Sequence, residues 1–146
     1  MTLENVVIHA YIVIDNGTNT TTTIKNSKLY ADYDSGTYGI KGNGTVNITD
    51  NSYIYAKQYA VSLSDGTLSI KDSTIDRQSN SIYSTISVSS SNYTVDNSEI
   101  KGETNIALSA SYSSSVGTIK NHSKIYGRIS ANGSLDILNS TVSQTT

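Results

Sequence analysis

The amino-acid sequence predicts an all-β chain folded as a right-handed parallel β-helix of about seven coils, three short strands to a coil, as one domain over residues 1–146. Three observations lead there. A short Asn/Asp-Ser unit returns along the whole chain, strictly alternating apolar and polar segments lie between its copies, and no stretch combines an apolar helical period with caps. Right-handedness follows from the general hand of parallel crossovers.

The recurring unit is an apolar residue, a spacer, Asn or Asp, Ser, any residue, then Ile, Leu or Val. It reads Ile24-Lys25-Asn26-Ser27-Lys28-Leu29, Ile70-Lys71-Asp72-Ser73-Thr74-Ile75, Val95-Asp96-Asn97-Ser98-Glu99-Ile100 and Ile137-Leu138-Asn139-Ser140-Thr141-Val142. Two copies carry one extra residue, Ile48-Thr49-Asp50-Asn51-Ser52-Tyr53-Ile54 and Ile119-Lys120-Asn121-His122-Ser123-Lys124-Ile125, and Leu3-Glu4-Asn5-Val6-Val7-Ile8 is a degenerate first copy. The Ser position falls at residues 6, 27, 52, 73, 98, 123 and 140, spacings of 21, 25, 21, 25, 25 and 17 residues, a solenoid period.

Within each repeat a turn dipeptide marks another corner: Asn16-Gly17, Asn43-Gly44, Asp65-Gly66 and Asn132-Gly133, all residue types that tolerate positive φ. Two coils carry Ser89-Ser90-Ser91 and Ser113-Ser114-Ser115 there instead. Strict alternation follows, as in Thr45-Val46-Asn47-Ile48, Thr67-Leu68-Ser69-Ile70 and Ser134-Leu135-Asp136-Ile137. A third strand per coil is expected at Tyr11-Ile12-Val13-Ile14, Ala60-Val61-Ser62-Leu63, Ile86-Ser87-Val88 and Ile106-Ala107-Leu108. Strands this short need neighbours above and below, and with rungs roughly 4.8 Å apart the rod is on the order of 30 Å long.

Each repeat position becomes a column along such a rod. Leu3, Ile24, Ile48, Ile70, Val95, Ile119 and Ile137 form one core column, and Ile8, Leu29, Ile54, Ile75, Ile100, Ile125 and Val142 form another. Asn5, Asn26, Asn51, Asp72, Asn97 and Asn139 stand at a corner and are expected to make a ladder of hydrogen-bonded amides, with Asn121 taking that role where His122 occupies the Asn position. An outward column runs His9, Tyr30, Tyr55, Asp76, Lys101, Tyr126; its Tyr30, Tyr55 and Tyr126 are candidates for a glycan or receptor stripe, since Tyr offers a broad face with a polar tip. A nearly uncharged double column of hydrogen-bonding side chains is expected at Thr21, Thr23, Thr45, Asn47, Thr67, Ser69, Asn92, Thr94, Thr118, Ser134 and Asp136, a face on which two molecules could pair.

Composition removes other classes. Without Cys there is no disulfide frame or thiolate metal site. Ten basic residues against twelve acidic ones, scattered along the chain, give no basic stripe for nucleic acid. Apolar runs, the one at Tyr11–Ile14 included, are far below the ~20 residues of a membrane span, and Met1-Thr2-Leu3-Glu4 does not begin a signal peptide. The enrichment in 25 Ser, 18 Thr and 14 Asn is reconciled with order by seventeen Ile and eleven Tyr, residues suited to a pleated surface. Asp72, Asp76 and Arg77 lie close together, but the residues one repeat away bring no second carboxylate cluster, no Gly-x-Ser-x-Gly elbow exists, and His9 and His122 are about five coils apart; catalysis, metal and cofactor are not expected. The Asn-x-Ser/Thr sequons, at Asn16, Asn19, Asn43, Asn47, Asn92, Asn121, Asn132 and Asn139, follow from composition.

The runs Gly66-Thr67-Leu68-Ser69-Ile70-Lys71-Asp72-Ser73-Thr74-Ile75 and Gly133-Ser134-Leu135-Asp136-Ile137-Leu138-Asn139-Ser140-Thr141-Val142 resemble coils in the passenger domains of bacterial autotransporter adhesins, and also pectin-lyase-like adhesive domains of surface proteins. The resemblance implies a right-handed three-stranded β-helix at the bacterial cell surface, cut from a longer protein. It implies adhesion, aggregation or biofilm formation through polar ladders that join two passengers or attach to a host protein or glycan. Two other readings compete: a carbohydrate-binding module using the Tyr column, and an ice-binding solenoid, for which only Thr21-x-Thr23 is a true Thr-x-Thr copy.

Burying an Ile side chain is worth roughly 1.5–3 kcal/mol, so the core columns carry the fold. Ile75→Asp is expected to abolish cooperative unfolding, measured by circular dichroism in a urea titration.

Overall fold

The computed structural model describes residues 1–33, 36–78 and 81–144, Thr104 by its backbone alone. These residues contain sixteen strands and no helix: β1 (Thr2–Glu4), β2 (Val7–His9), β3 (Ile12–Asn16), β4 (Thr21–Lys25), β5 (Lys28–Ala31), β6 (Tyr38–Thr49), β7 (Tyr53–Ala56), β8 (Tyr59–Lys71), β9 (Thr74–Arg77), β10 (Ile86–Ser89), β11 (Asn92–Asp96), β12 (Glu99–Ala110), β13 (Val116–Lys120), β14 (Lys124–Ala131), β15 (Ser134–Ile137) and β16 (Thr141–Ser143). Every strand pairing is parallel. The chain is a parallel β-solenoid of about five turns.

Three strips of sheet surround the core. On the first, Leu3, Ile24, Ile48, Ile70, Val95, Ile119 and Ile137 pair in that order. On the second, Ile8, Leu29, Ile54, Ile75, Ile100, Ile125 and Val142 pair likewise. The third stacks Ile14, Ile40, Val61, Ile86, Leu108 and Ile129. Side chains in the middle of each column are wholly buried, whereas Ile137 and Val142 at one end are each 44% exposed, so the driving force is concentrated in the central coils.

The corner between the first and second strips explains the Asn/Asp-Ser unit. Asn5, Asn26, Asn51, Asp72, Asn97 and Asn139 all have φ between 43° and 60°, the left-handed region that Asn and Asp enter more readily than other residues with a Cβ. The expected continuous amide ladder is replaced by separate pairs: Asn26 Nδ2 donates to Asn5 Oδ1 at 2.6 Å, Asn97 Nδ2 to Asp72 Oδ1 at 2.6 Å, and Asn121 Nδ2 to Asp96 Oδ1 at 2.7 Å. The residue type at this corner is therefore set mainly by backbone conformation.

The longer ladder belongs to the serines. Val6 N–H donates to Ser27 Oγ, Ser27 N–H to Ser52 Oγ, Ser73 N–H to Ser98 Oγ and Ser98 N–H to Ser123 Oγ, at 3.1–3.3 Å. Each of these hydroxyls in turn donates to a carbonyl of its own coil, as Ser98 Oγ does to Asp96 O at 2.7 Å. A buried hydroxyl thus satisfies one amide and one carbonyl at each of these four steps. The extra residues of two repeats are absorbed by doubling the left-handed residue: Asp50 and Asn51, then Asn121 and His122, all have positive φ. The Ser hydroxyl then reaches three residues back instead of two, to Thr49 O and Lys120 O. At the first of these doublings the ladder breaks, because Ser52 N–H turns to Thr49 O.

A shorter ladder of the same kind stands at the Gly corner, where Gly66 N–H donates to Ser91 Oγ and Ser91 N–H to Ser115 Oγ. The Ser-rich loops thus supply it. Positive φ occurs there at Asp65 (49°) and Gly44 (78°), but Gly66 is required for space: a Cβ on it would stand 2.2 Å from Gly44 O of the adjoining coil.

Ser98→Ala removes the acceptor of a buried amide and the donor to a carbonyl, and is expected to lower stability by about 1–3 kcal/mol in urea titration. Ser140→Ala, at the exposed end, is expected to cost less than half as much.

Candidate functional site

The first strip presents the expected polar face. Thr21, Thr45, Thr67, Asn92, Val116 and Ser134 pair in one outward column, and Thr23, Asn47, Ser69, Thr94, Thr118 and Asp136 in the next. Successive rungs repeat at about 4.8 Å. Val116, half exposed, takes the outward place two residues before Thr118, where the sequence reading names no residue. Thr-x-Thr occurs once, at Thr21 and Thr23, in the array.

Among the described residues, none of the eleven polar side chains on this face makes an intramolecular side-chain hydrogen bond, although the corner serines four or five residues beyond it each donate to a carbonyl. The face ends at an edge of alternating charge, where Lys25 Nζ lies 3.9 Å from Glu4 and Lys120 Nζ 3.5 Å from Asp96. Exposed pairs of this kind add little stability; their effect is to bound a neutral strip.

Beneath the face, Thr22, Val46, Leu68, Tyr93, Gly117 and Leu135 point inward in register. Tyr93 lies over Gly117, where a Cβ would stand 2.0 Å from the ring. Its buried hydroxyl has no hydrogen-bond partner among the described residues, and burial raises its pKa.

On the second strip His9, Tyr30, Tyr55, Asp76, Lys101 and Tyr126 are in register, as the sequence predicts. The aromatic cluster is nonetheless confined to one end. His9 stacks on Tyr30 at 4.7 Å and pairs with Asp32 at 2.8 Å, and Tyr30 is tilted against Tyr53 at 5.8 Å and Tyr55 at 6.4 Å. Tyr126 is separated from them by the rungs of Asp76 and Lys101 and joins no ring contact. Tyr53 is the residue that sequence reasoning missed, and alternation could have found it two places before Tyr55. Its hydroxyl donates to Asp76 Oδ2 at 2.8 Å, and burial, followed by that hydrogen bond, raises its pKa. A further stack, Tyr38 on Tyr59 at 5.5 Å with Tyr83 tilted beyond at 5.0 Å, follows irregular loops and carries no repeat signature.

The acidic and basic residues close in sequence diverge in space. Asp76 faces outward to Tyr53, whereas Arg77 is buried: its Nη1 donates to Ser81 O at 2.8 Å and Gln78 O at 3.2 Å, Nη2 to Gly102 O at 2.9 Å, and Nε to Thr85 Oγ1 at 3.3 Å. Burial lowers its pKa, and its guanidinium ties together Gln78, Ser81, Thr85 and Gly102. Among the described residues no group of three or more His, Asp or Glu is placed to hold a metal ion.

Fold and surface together define a parallel β-solenoid with one nearly uncharged hydrogen-bonding face and one aromatic corner. Comparison with protein-family models, with curated proteins and with solved structures finds no match.

Tyr93→Phe is expected to raise stability by about 1 kcal/mol by deleting an unpaired buried hydroxyl. Gly117→Ala is expected to lower it by about 1–3 kcal/mol through overpacking. Denaturant midpoints check both.

Proposed function

We propose that the chain is an adhesive segment of a bacterial cell-surface protein, without catalysis of its own, that acts by pairing with a second copy of itself through the Thr/Ser/Asn face. In this reading it is extracellular and akin to the passenger domains of self-associating autotransporter adhesins. Its rod is right-handed and has the seven coils that the repeat markers count.

One observation carries the reading: a regular array of donors and acceptors has no use inside the molecule, while comparable hydroxyls at the corner are all committed. An intermolecular hydrogen bond contributes about 0.5–1.5 kcal/mol net, and association costs on the order of 4–15 kcal/mol. A face of this length therefore gives weak pairing, which strengthens as coils are added. Weak contacts summed along a rod suit cell-to-cell aggregation, where many copies act together.

The test is sedimentation velocity over a wide concentration range, on the wild type and on the variant carrying Thr45→Lys, Asn47→Lys, Thr67→Lys and Ser69→Lys. Concentration-dependent dimers are expected in the wild type, and a monomer of unchanged melting temperature in the variant. Equal self-association of both proteins would rule out this face.

A further inference from the structure

Beside the Asn-Ser corner, on the second strip, an open groove of about 830 Å³ is lined by Lys28, Tyr30, Asn51, Tyr53, Thr74 and Glu99, with Asp50, Asp72 and Asn97 along its corner edge. We infer that this groove binds an uncharged polysaccharide, a chain of pyranose units lying along the rod axis. The inference is independent of the pairing face, which lies on the other strip.

The groove is built around Tyr53. Lys28, Tyr53, Thr74 and Glu99 occupy one outward column in consecutive rungs, so the ring has a polar side chain directly above and below it. The hydrogen bond from the Tyr53 hydroxyl to Asp76 fixes the ring, and Tyr30 supports it from the side. An immobilised aromatic face flanked by donors and acceptors is complementary to a pyranose, which has an apolar C–H face and a rim of hydroxyls.

Several polar groups in the groove are uncommitted. Asn97 is bonded to Asp72, and Glu99 lies 3.5 Å from Lys124. By contrast, the Lys28 ammonium, the Asn51 amide and the Thr74 hydroxyl make no side-chain hydrogen bond among the described residues. Asn51 is free for an identifiable reason. The amide pairs on either side of it, Asn5–Asn26 and Asp72–Asn97, are closed, and the additional residue Asp50 stands beside it at the doubled corner. The interruption that breaks the serine ladder thus leaves an amide at the groove.

Charge selects among saccharides. Asp50, Asp72 and Glu99 outnumber Lys28 and the Lys124 that pairs with Glu99, so uronic, sialylated and sulfated chains are disfavoured. Length fits as well: Lys28 to Glu99 spans three rung steps, about 14 Å, the reach of a short oligosaccharide.

The experiment is calorimetric titration of the intact chain with hexamers of β-1,4-linked glucose, β-1,4-linked N-acetylglucosamine and α-1,4-linked galacturonate, the last being the anionic control. At least one uncharged hexamer is expected to bind with a Kd below about 1 mM, and the galacturonate hexamer at least about tenfold more weakly. Tyr53→Ala is expected to lose about tenfold or more, Asn51→Ala several-fold, and Tyr53→Phe no more than about threefold, by the size of a lost stacking or hydrogen-bond contact. The four-Lys face variant is expected to bind as the wild type does, which separates failure of this inference from failure of the pairing face. Absence of binding by both uncharged hexamers, tighter binding of galacturonate, or undiminished binding by folded Tyr53→Ala would overturn the inference. Should Tyr53→Ala not fold, undiminished binding by Asn51→Ala, a change at an exposed side chain, would overturn it instead.

Discussion

The structure depends on turning the chain at one corner in every coil without stranding buried amides. A left-handed residue makes the turn, and the serine hydroxyl after it accepts an amide from the preceding coil while donating to a carbonyl of its own. The two functions fall on adjacent residues, so the Asn/Asp-Ser pair repeats as a unit. Once the corner is fixed, Ile side chains two positions before and two after it are directed into the core on two strips at once. The corner absorbs one extra residue by doubling its left-handed position, at Asp50–Asn51 and Asn121–His122, and away from it Arg77 binds the carbonyls of Gln78, Ser81 and Gly102.

This division sorts the polar residues of a chain unusually rich in them. Corner serines and Arg77 are buried and saturated, and they serve the fold. The Thr, Ser and Asn side chains of the first strip are in register but unsaturated. Water satisfies them in the isolated molecule, so the net gain on pairing is small per contact and depends on the number of coils engaged. Strand propensity alone accounts for Thr at exposed positions; it does not account for the same strip ending at a charged margin on its corner side, where Glu4–Lys25 and Asp96–Lys120 pair along the axis.

The core columns and outward faces were legible because alternation and repeat spacing determine which residues align, and the pairing of Ile24 with Ile48 or Thr45 with Thr67 follows directly. The bonding at the corner was less legible. Asn and Ser recur together, so sequence alone cannot assign the ladder; the φ values and the direction of Ser Oγ decide it. The aromatic stripe was drawn as one column through Tyr126, yet rings interact across columns, and Tyr53 in the adjoining column matters more than Tyr126 three rungs away. The Tyr38–Tyr59–Tyr83 stack escaped because the loops before it differ in length and hide the register.

The two doubled corners show why a repeat protein can carry a site that does not repeat. Both insert one residue, both place two consecutive residues at positive φ, and both border an open groove. At the second, the inserted residue remains in the hydrogen-bonding scheme, Asn121 donating to Asp96, and the groove there is lined by His122, Lys124 and Thr141 with no tyrosine. At the first, Asn51 is left out of the amide pairs and Tyr53 stands immediately beyond it with its hydroxyl anchored to Asp76 on the next coil. The insertion alone creates space and a break in the ladder. Only its coincidence with an anchored tyrosine in the same rung converts that break into a surface with directional chemistry, which distinguishes this corner from the second doubled one.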